Sequence, residues 1–104
     1  MAERLIWTET PKITRKEILE YWINRNKSKT YSKKLNRLFT DSAEQILMFP
    51  YSGIKISESY YQGKLIKDYY LIYKISESSI DILLIWDTMQ NPEKLLNFFK
   101  NLNR

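Results

Sequence analysis

The sequence predicts an α+β domain: two N-terminal helices packed on one face of a small antiparallel sheet, then a short C-terminal helix. Three observations lead there. From Ile18 to Leu47 apolar side chains recur at helical spacing. From Ser57 to Trp86 the pattern becomes Ile-, Leu- and Tyr-rich runs divided by short polar breaks. Asn91–Pro92–Glu93 then sets out a cap, a proline and an acid, the order in which helices begin. A length of 104 residues suits one domain, 1–104, with one modest core.

Residues 3–8, ERLIWT, read as a short strand. Thr10 followed by Pro11 predicts a hydroxyl cap and a proline at the first helical position, and the helix should run to about Asn24 with Ile18, Tyr21 and Trp22 on one face. NRNKSKT is a polar, basic break. A second helix should start near Ser28 or Thr30, carry Tyr31, Leu35, Leu38, Phe39, Ile46 and Leu47 inward, and end before Pro50 and Gly53. SESYYQGKLIK, DYYLIYKI and SIDILLIW follow as strands. Lys67–Asp68 and Ser76–Ser79 read as hairpin turns, which makes the three sequential and antiparallel. Ile80 to Trp86 is almost continuously apolar, as befits a central strand covered on both sides, with Leu84 among the residues facing the helices. Leu95, Phe98, Phe99 and Leu102 form the apolar stripe of the last helix. No repeat, linker or low-complexity segment interrupts this order.

Composition narrows the chemistry. There is no cysteine, hence no disulfide and no thiolate nucleophile, and the cytoplasm is the compatible compartment. There is no histidine, which removes the commonest acid–base group and metal ligand. The acids show no metal-ligand spacing, so neither a metal nor a small-molecule cofactor is expected. No apolar run is long enough to span a bilayer, and no membrane partner is expected. Seventeen Lys and Arg against twelve Asp and Glu give a net charge of +5, which favours an anionic partner such as nucleic acid or an acidic protein segment. The plainer alternative is a protein with a lysine-rich surface.

Three stretches together resemble the RelE/ParE family of toxins from bacterial type II toxin–antitoxin systems. LIWTETPKITRKEILEYW is similar to the family's first strand and helix, KLIKDYYLIYKI to its central hairpin, and IDILLIWDTMQNP to its closing strand and exit turn. The resemblance implies a RelE-like fold and a toxin neutralised by a cognate antitoxin. It further implies inhibition of translation by ribosome-dependent mRNA cleavage, with poisoning of DNA gyrase in the ParE manner, or antitoxin binding without toxicity, as the alternatives.

Cleaving RNA without a metal requires a group to take the 2′-hydroxyl proton, cations around the phosphorane, and an acid for the leaving oxygen. The resemblance would put these roles on the hairpin and the closing turn. Lys64 and Lys67 would stabilise developing charge, Tyr70 would stack or donate its hydroxyl proton, and Gln90 would orient a phosphate oxygen or a base. Two positions depart from the pattern. Many relatives have arginine where this chain has Tyr70, and relatives with a similar ending often have arginine where Met89 stands. Lys33, Lys34 and Arg37 on the second helix, with Lys74 on the hairpin, are candidates for phosphate contact; a solvated helix face is the alternative. Tyr60, Tyr61, Tyr69, Tyr70 and Tyr73 are candidates for base stacking. Strand alternation sends some of them into the core instead, Tyr69 and Tyr73 first.

Overall fold

A computed structural model describes residues 4–56 and 61–102. Strand β1 (Arg4–Trp7) leads into helices α1 (Glu9–Asn26) and α2 (Thr30–Met48). A single 3₁₀ turn at Pro50–Ser52 precedes β2 (Ile54–Lys55), β3 (Tyr61–Ile66), β4 (Tyr69–Ile75) and β5 (Ser79–Asp87), and α3 (Pro92–Leu102) follows. The sheet order is β1-β5-β4-β3-β2. The strands β3 to β5 are antiparallel, as the hairpin turns predict, and the short β2, not expected from the sequence, adds antiparallel to β3. The first strand departs from that expectation: β1 pairs with β5 in parallel, Leu5 opposite Ile80, so the five-stranded sheet is mixed. The chain between these two parallel neighbours runs through both helices and β2 to β4, far more than the crossover that a parallel pairing needs.

Each face of the sheet has its own core. On one face Leu35, Phe39, Ala43 and Ile46 of α2 pack with Tyr69, Leu71 and Tyr73 of β4 and Ile80, Ile82 and Ile85 of β5, and Ile18, Leu19 and Trp22 of α1 close over them. On the other, Phe99 of α3 packs with Tyr61, Ile72 and Trp86. Leu84 belongs to this second cluster, not to the helical-pair side where alternation from Ile80 would put it. The reason is a bulge: opposite the Ile72–Tyr73 step the register jumps from Ile82 to Leu84, which flips the rest of β5. With helices on both sides, the unbroken apolar run of β5 is accounted for.

The boundaries shift in instructive ways. Helix α1 starts before Thr10, with Thr8 at the cap position but making no side-chain cap. Its hydroxyl instead donates to the Ile82 carbonyl at 2.7 Å and pins the strand-to-helix corner to β5. Pro11 falls in the first turn, where its missing N–H is one that has no helical partner anyway, and it is fully buried. Lys27 closes α1 in the left-handed region (φ 53°). At the end of α2, the fully buried Tyr73 donates its hydroxyl to the Pro50 carbonyl at 2.7 Å and ties the 3₁₀ turn to the middle of the sheet. Arg15 fastens α1 to α2. Its guanidinium donates to the Asn36 side-chain oxygen, the Asn36 carbonyl and the Thr40 hydroxyl, and lies 4.7 Å from the centre of the Trp7 ring. It has no carboxylate partner among the described residues, and burial lowers its pKa from the usual arginine value.

No helix among the described residues is long and apolar enough to cross a membrane.

Candidate functional site

One face of α1 does not bury itself completely. Thr14, Glu17, Ile18, Tyr21, Trp22 and Arg25 fall at i, i+3, i+4, i+7, i+8 and i+11, so they share a stripe. The inner part of that stripe packs on the sheet. The outer part forms one wall of a cleft of about 810 Å³, whose other wall is Asp68, Tyr69, Ile85, Asp87, Met89 and Gln90.

Two turns build that second wall. The β3–β4 turn is the two-residue Lys67–Asp68 step, and Lys67 takes a positive φ of 55°. The exit turn of β5 is held by Asp87, whose side chain accepts the Met89 backbone N–H at 2.9 Å and whose carbonyl accepts the Gln90 N–H at 3.0 Å. Thr88 N–H donates to the Asp68 carbonyl at 2.9 Å and joins the two turns. Asn91 then caps α3, its side-chain oxygen accepting the Glu93 N–H at 3.0 Å.

At the base of the cleft the Trp22 indole N–H donates to the Tyr69 hydroxyl at 3.0 Å. Tyr69 is buried, and its pKa is raised first by that burial and further by the nearby charges of Asp87 and Asp68; the Trp22 bond opposes the shift without reversing it. The Tyr69 hydroxyl therefore stays protonated at neutral pH and offers no base there.

The residues singled out from sequence do not form one constellation. Gln90 lines the cleft, and Lys67 lies in the turn bonded to it. Lys64 pairs with Leu71, and Tyr70 pairs with Leu65 and Trp86, so alternation puts Lys64 on the face of the helical pair and Tyr70 on the face of α3. Lys74 is on the α3 face as well, its ammonium 5.9 Å from the centre of the Tyr61 ring. Lys33, Lys34 and Arg37 sit exposed on α2, and Arg37 is within 3.8 Å of Asp41, an exposed pair of little energetic weight. Tyr61, Tyr69 and Tyr73 are buried and Tyr70 is half-buried; Tyr60 lies outside the described residues.

Sequence reasoning missed the contribution of α1. Glu17 adjoins the Ile18–Tyr21–Trp22 stripe, but a stripe mixing charged with apolar residues reads equally as the border of a packed face, and Arg25 lies past the helix end expected near Asn24, whereas α1 continues to Asn26. Asp68 reads from the sequence only as a turn residue. Among the described residues no group of three or more acidic side chains is placed to hold a metal ion. No protein-family model matches the chain, and no curated protein matches it in sequence.

Proposed function

We propose that the chain is the toxin of a RelE/ParE-like toxin–antitoxin pair, held inactive by a cognate antitoxin. One observation carries this reading: the three segments in which the chain resembles that family, far apart in sequence, supply residues to the same cleft. The first gives Thr14, Glu17, Ile18, Tyr21 and Trp22, the second Asp68 and Tyr69, the third Ile85, Asp87, Met89 and Gln90. The likeness thus has a spatial focus, and the net charge of +5 suits an acidic neutralising segment that folds on contact.

Two modes of toxicity ask different things of the protein. Cleavage of mRNA on the ribosome needs Lys64, Lys67, Tyr70 and Gln90 around one phosphate. Lys64 and Tyr70 face opposite sides of the sheet, and three carboxylates line the cleft. Both facts favour inhibition by contact with a target protein, as in gyrase poisoning, over cleavage, for which Gln90 alone of the four lines the cleft and Lys67 lies in the adjoining turn. Action in the cytoplasm belongs to the same proposal, because ribosome and gyrase are both there.

Induction of the chain alone in a bacterial host should arrest growth. Co-expression with the neighbouring reading frame should relieve the arrest and yield a co-purifying complex. Intact ribosome-bound transcripts by primer extension, a DNA-damage response and resistance through gyrase mutations are expected of the contact mode. Discrete cuts in those transcripts would put cleavage first. Harmless expression together with no binding by the neighbouring gene product would end the proposal.

A further inference from the structure

The cleft beside α1 carries a charge opposite to that of the protein around it. Glu17, Asp68 and Asp87 line it against Arg25 alone, a formal charge of −2 on a chain of +5. Among the described residues the ion pair is Arg37–Asp41 on α2, so none of the three carboxylates is in a direct ion pair, with Arg25 or any other cation. Glu17 and Asp68 are exposed, and Asp87 keeps one carboxylate oxygen beyond the one that holds the Met89 N–H. The rest of the lining is apolar or aromatic: Ile18, Tyr21, Trp22, Ile85 and Met89. Met89 is 86% exposed and Tyr21 54% exposed, a high degree of exposure for such large side chains. Trp22 has its N–H committed to Tyr69, so the surface it offers an incoming group is its ring.

Aromatic rings beside unpaired carboxylates are the surroundings that a guanidinium or ammonium group on an apolar stem prefers. The ring quadrupole and the carboxylates attract the charge, and the stem covers apolar surface. A phosphate would meet three like charges. A metal ion would find the carboxylates too dispersed. A volume of about 810 Å³ holds one long side chain and part of its two neighbours.

We infer that this cleft docks a segment of a partner protein in which an arginine or lysine stands between apolar residues, the basic group lodging against Trp22 and the carboxylates of Glu17 and Asp68. The inference is independent of the toxin reading, since it concerns the chemistry of the occupant and not the consequence of binding.

The test is an NMR titration of the isotopically labelled full chain with the peptide Ac-Leu-Arg-Leu-NH₂, beside the same peptide carrying citrulline, which keeps the shape and lacks the charge. Saturable shifts are expected at the Trp22 indole N–H and at the Met89 and Gln90 amides, with the citrulline peptide binding at least ten-fold more weakly. Glu17→Gln combined with Asp68→Asn should weaken the arginine peptide at least ten-fold and leave the dispersion of the remaining spectrum unchanged. The citrulline comparison uses the unaltered chain and so decides the matter even if that variant folds poorly. Equal binding of the two peptides, absence of saturable shifts, or shifts confined to another surface would overturn the inference. So would a uridine oligonucleotide that moves the same resonances at lower concentration than the peptide.

Discussion

Removing one oxygen from the core, by Tyr73→Phe, should destabilise the domain by about 2 kcal/mol. Tyr73 is fully buried, and its hydroxyl donates to the Pro50 carbonyl at 2.7 Å and lies 3.2 Å from the side-chain oxygen of Gln62, itself only 5% exposed. Phenylalanine keeps the ring packed among Leu71, Ile80 and Ile82 and deletes only the hydroxyl. A buried acceptor left without a donor costs about 1–3 kcal/mol, and the single hydroxyl proton serves one acceptor here, the Pro50 carbonyl. Pro50 is half-buried, so its carbonyl recovers part of its loss from water, which brings the total to about 2 kcal/mol. In a domain of this size that corresponds to a fall in Tm of about 10 °C. Urea unfolding followed by circular dichroism should show a lower midpoint with an unchanged slope. Alkaline pH supplies an internal control. Burial raises the Tyr73 pKa and the Gly53 backbone hydrogen bond only partly offsets it, so the fold holds a proton that the unfolded chain releases near pH ~10. Stability from this group is complete below that pH and is lost as pH rises toward the folded value, so the gap between parent and Tyr73→Phe should narrow above pH ~10. A loss below about 0.5 kcal/mol, or a gap that stays constant through the alkaline range, would refute the account of a sealed hydroxyl, since a bond exchanged with water is worth little net.

Three further outcomes are expected. Phe39→Ala, at a fully buried position where both helices meet the sheet, should cost about 3–5 kcal/mol and leave the protein largely unfolded at moderate urea. Lys67→Gly relieves a left-handed backbone (φ 55°) and should leave stability unchanged or raise it by up to about 1 kcal/mol, so that any loss of growth arrest in this variant reports the charge and not the fold. Met89→Arg places a cation at a cleft-lining position 86% exposed. It should sharpen toxicity if the cleft acts on phosphate, and should weaken the arginine-peptide contact if the cleft acts on a basic partner; growth assay and NMR titration read the two effects separately.

The α+β architecture was legible because its main elements each carry a strong local pattern. The α2 stripe from Tyr31 to Leu47 and the continuous run from Ile80 to Trp86 need no tertiary information to be read as a helix with one buried face and a strand with two. What escaped depends on partners distant in the chain. The parallel pairing of Arg4–Trp7 with Ser79–Ile82 is made across the whole domain. The bulge that transfers Leu84 to the α3 face comes from β4–β5 register, which the apolar run alone leaves free because both faces are apolar. Thr10 looked like the cap because Pro11 follows it, yet the hydroxyl that matters belongs to Thr8 and bonds across to Ile82, 74 residues away. For the candidate site, the exit turn was readable from Asn91 and Pro92, whereas the wall contributed by α1 and the separation of Lys64 from Tyr70 follow from packing and from strand parity once the register is known.

The stretch Trp86–Leu95 shows how a turn and a site can be the same residues. Asp87 and Asn91 each give a side-chain oxygen to a backbone N–H two residues ahead, so the polar side chains that look most chemical are occupied in shaping the chain. That occupation has a consequence. With Asp87 folded back onto Met89 N–H and Thr88 N–H bound to Asp68, the backbone of residues 87–90 is fixed against the hairpin turn, and Met89 and Gln90 are left exposed along the cleft. A rigid turn presenting two side chains without structural duties is a suitable mount for recognition, because little freedom is lost when a partner binds. Specificity then rests on which side chains are mounted. Methionine at 89 leaves the charge of the cleft to Glu17, Asp68 and Asp87, whereas an arginine there would oppose them. The identity of one exposed residue thus bears on whether this end of the sheet attracts an anion or a cation, while the fold that holds it is indifferent to the exchange.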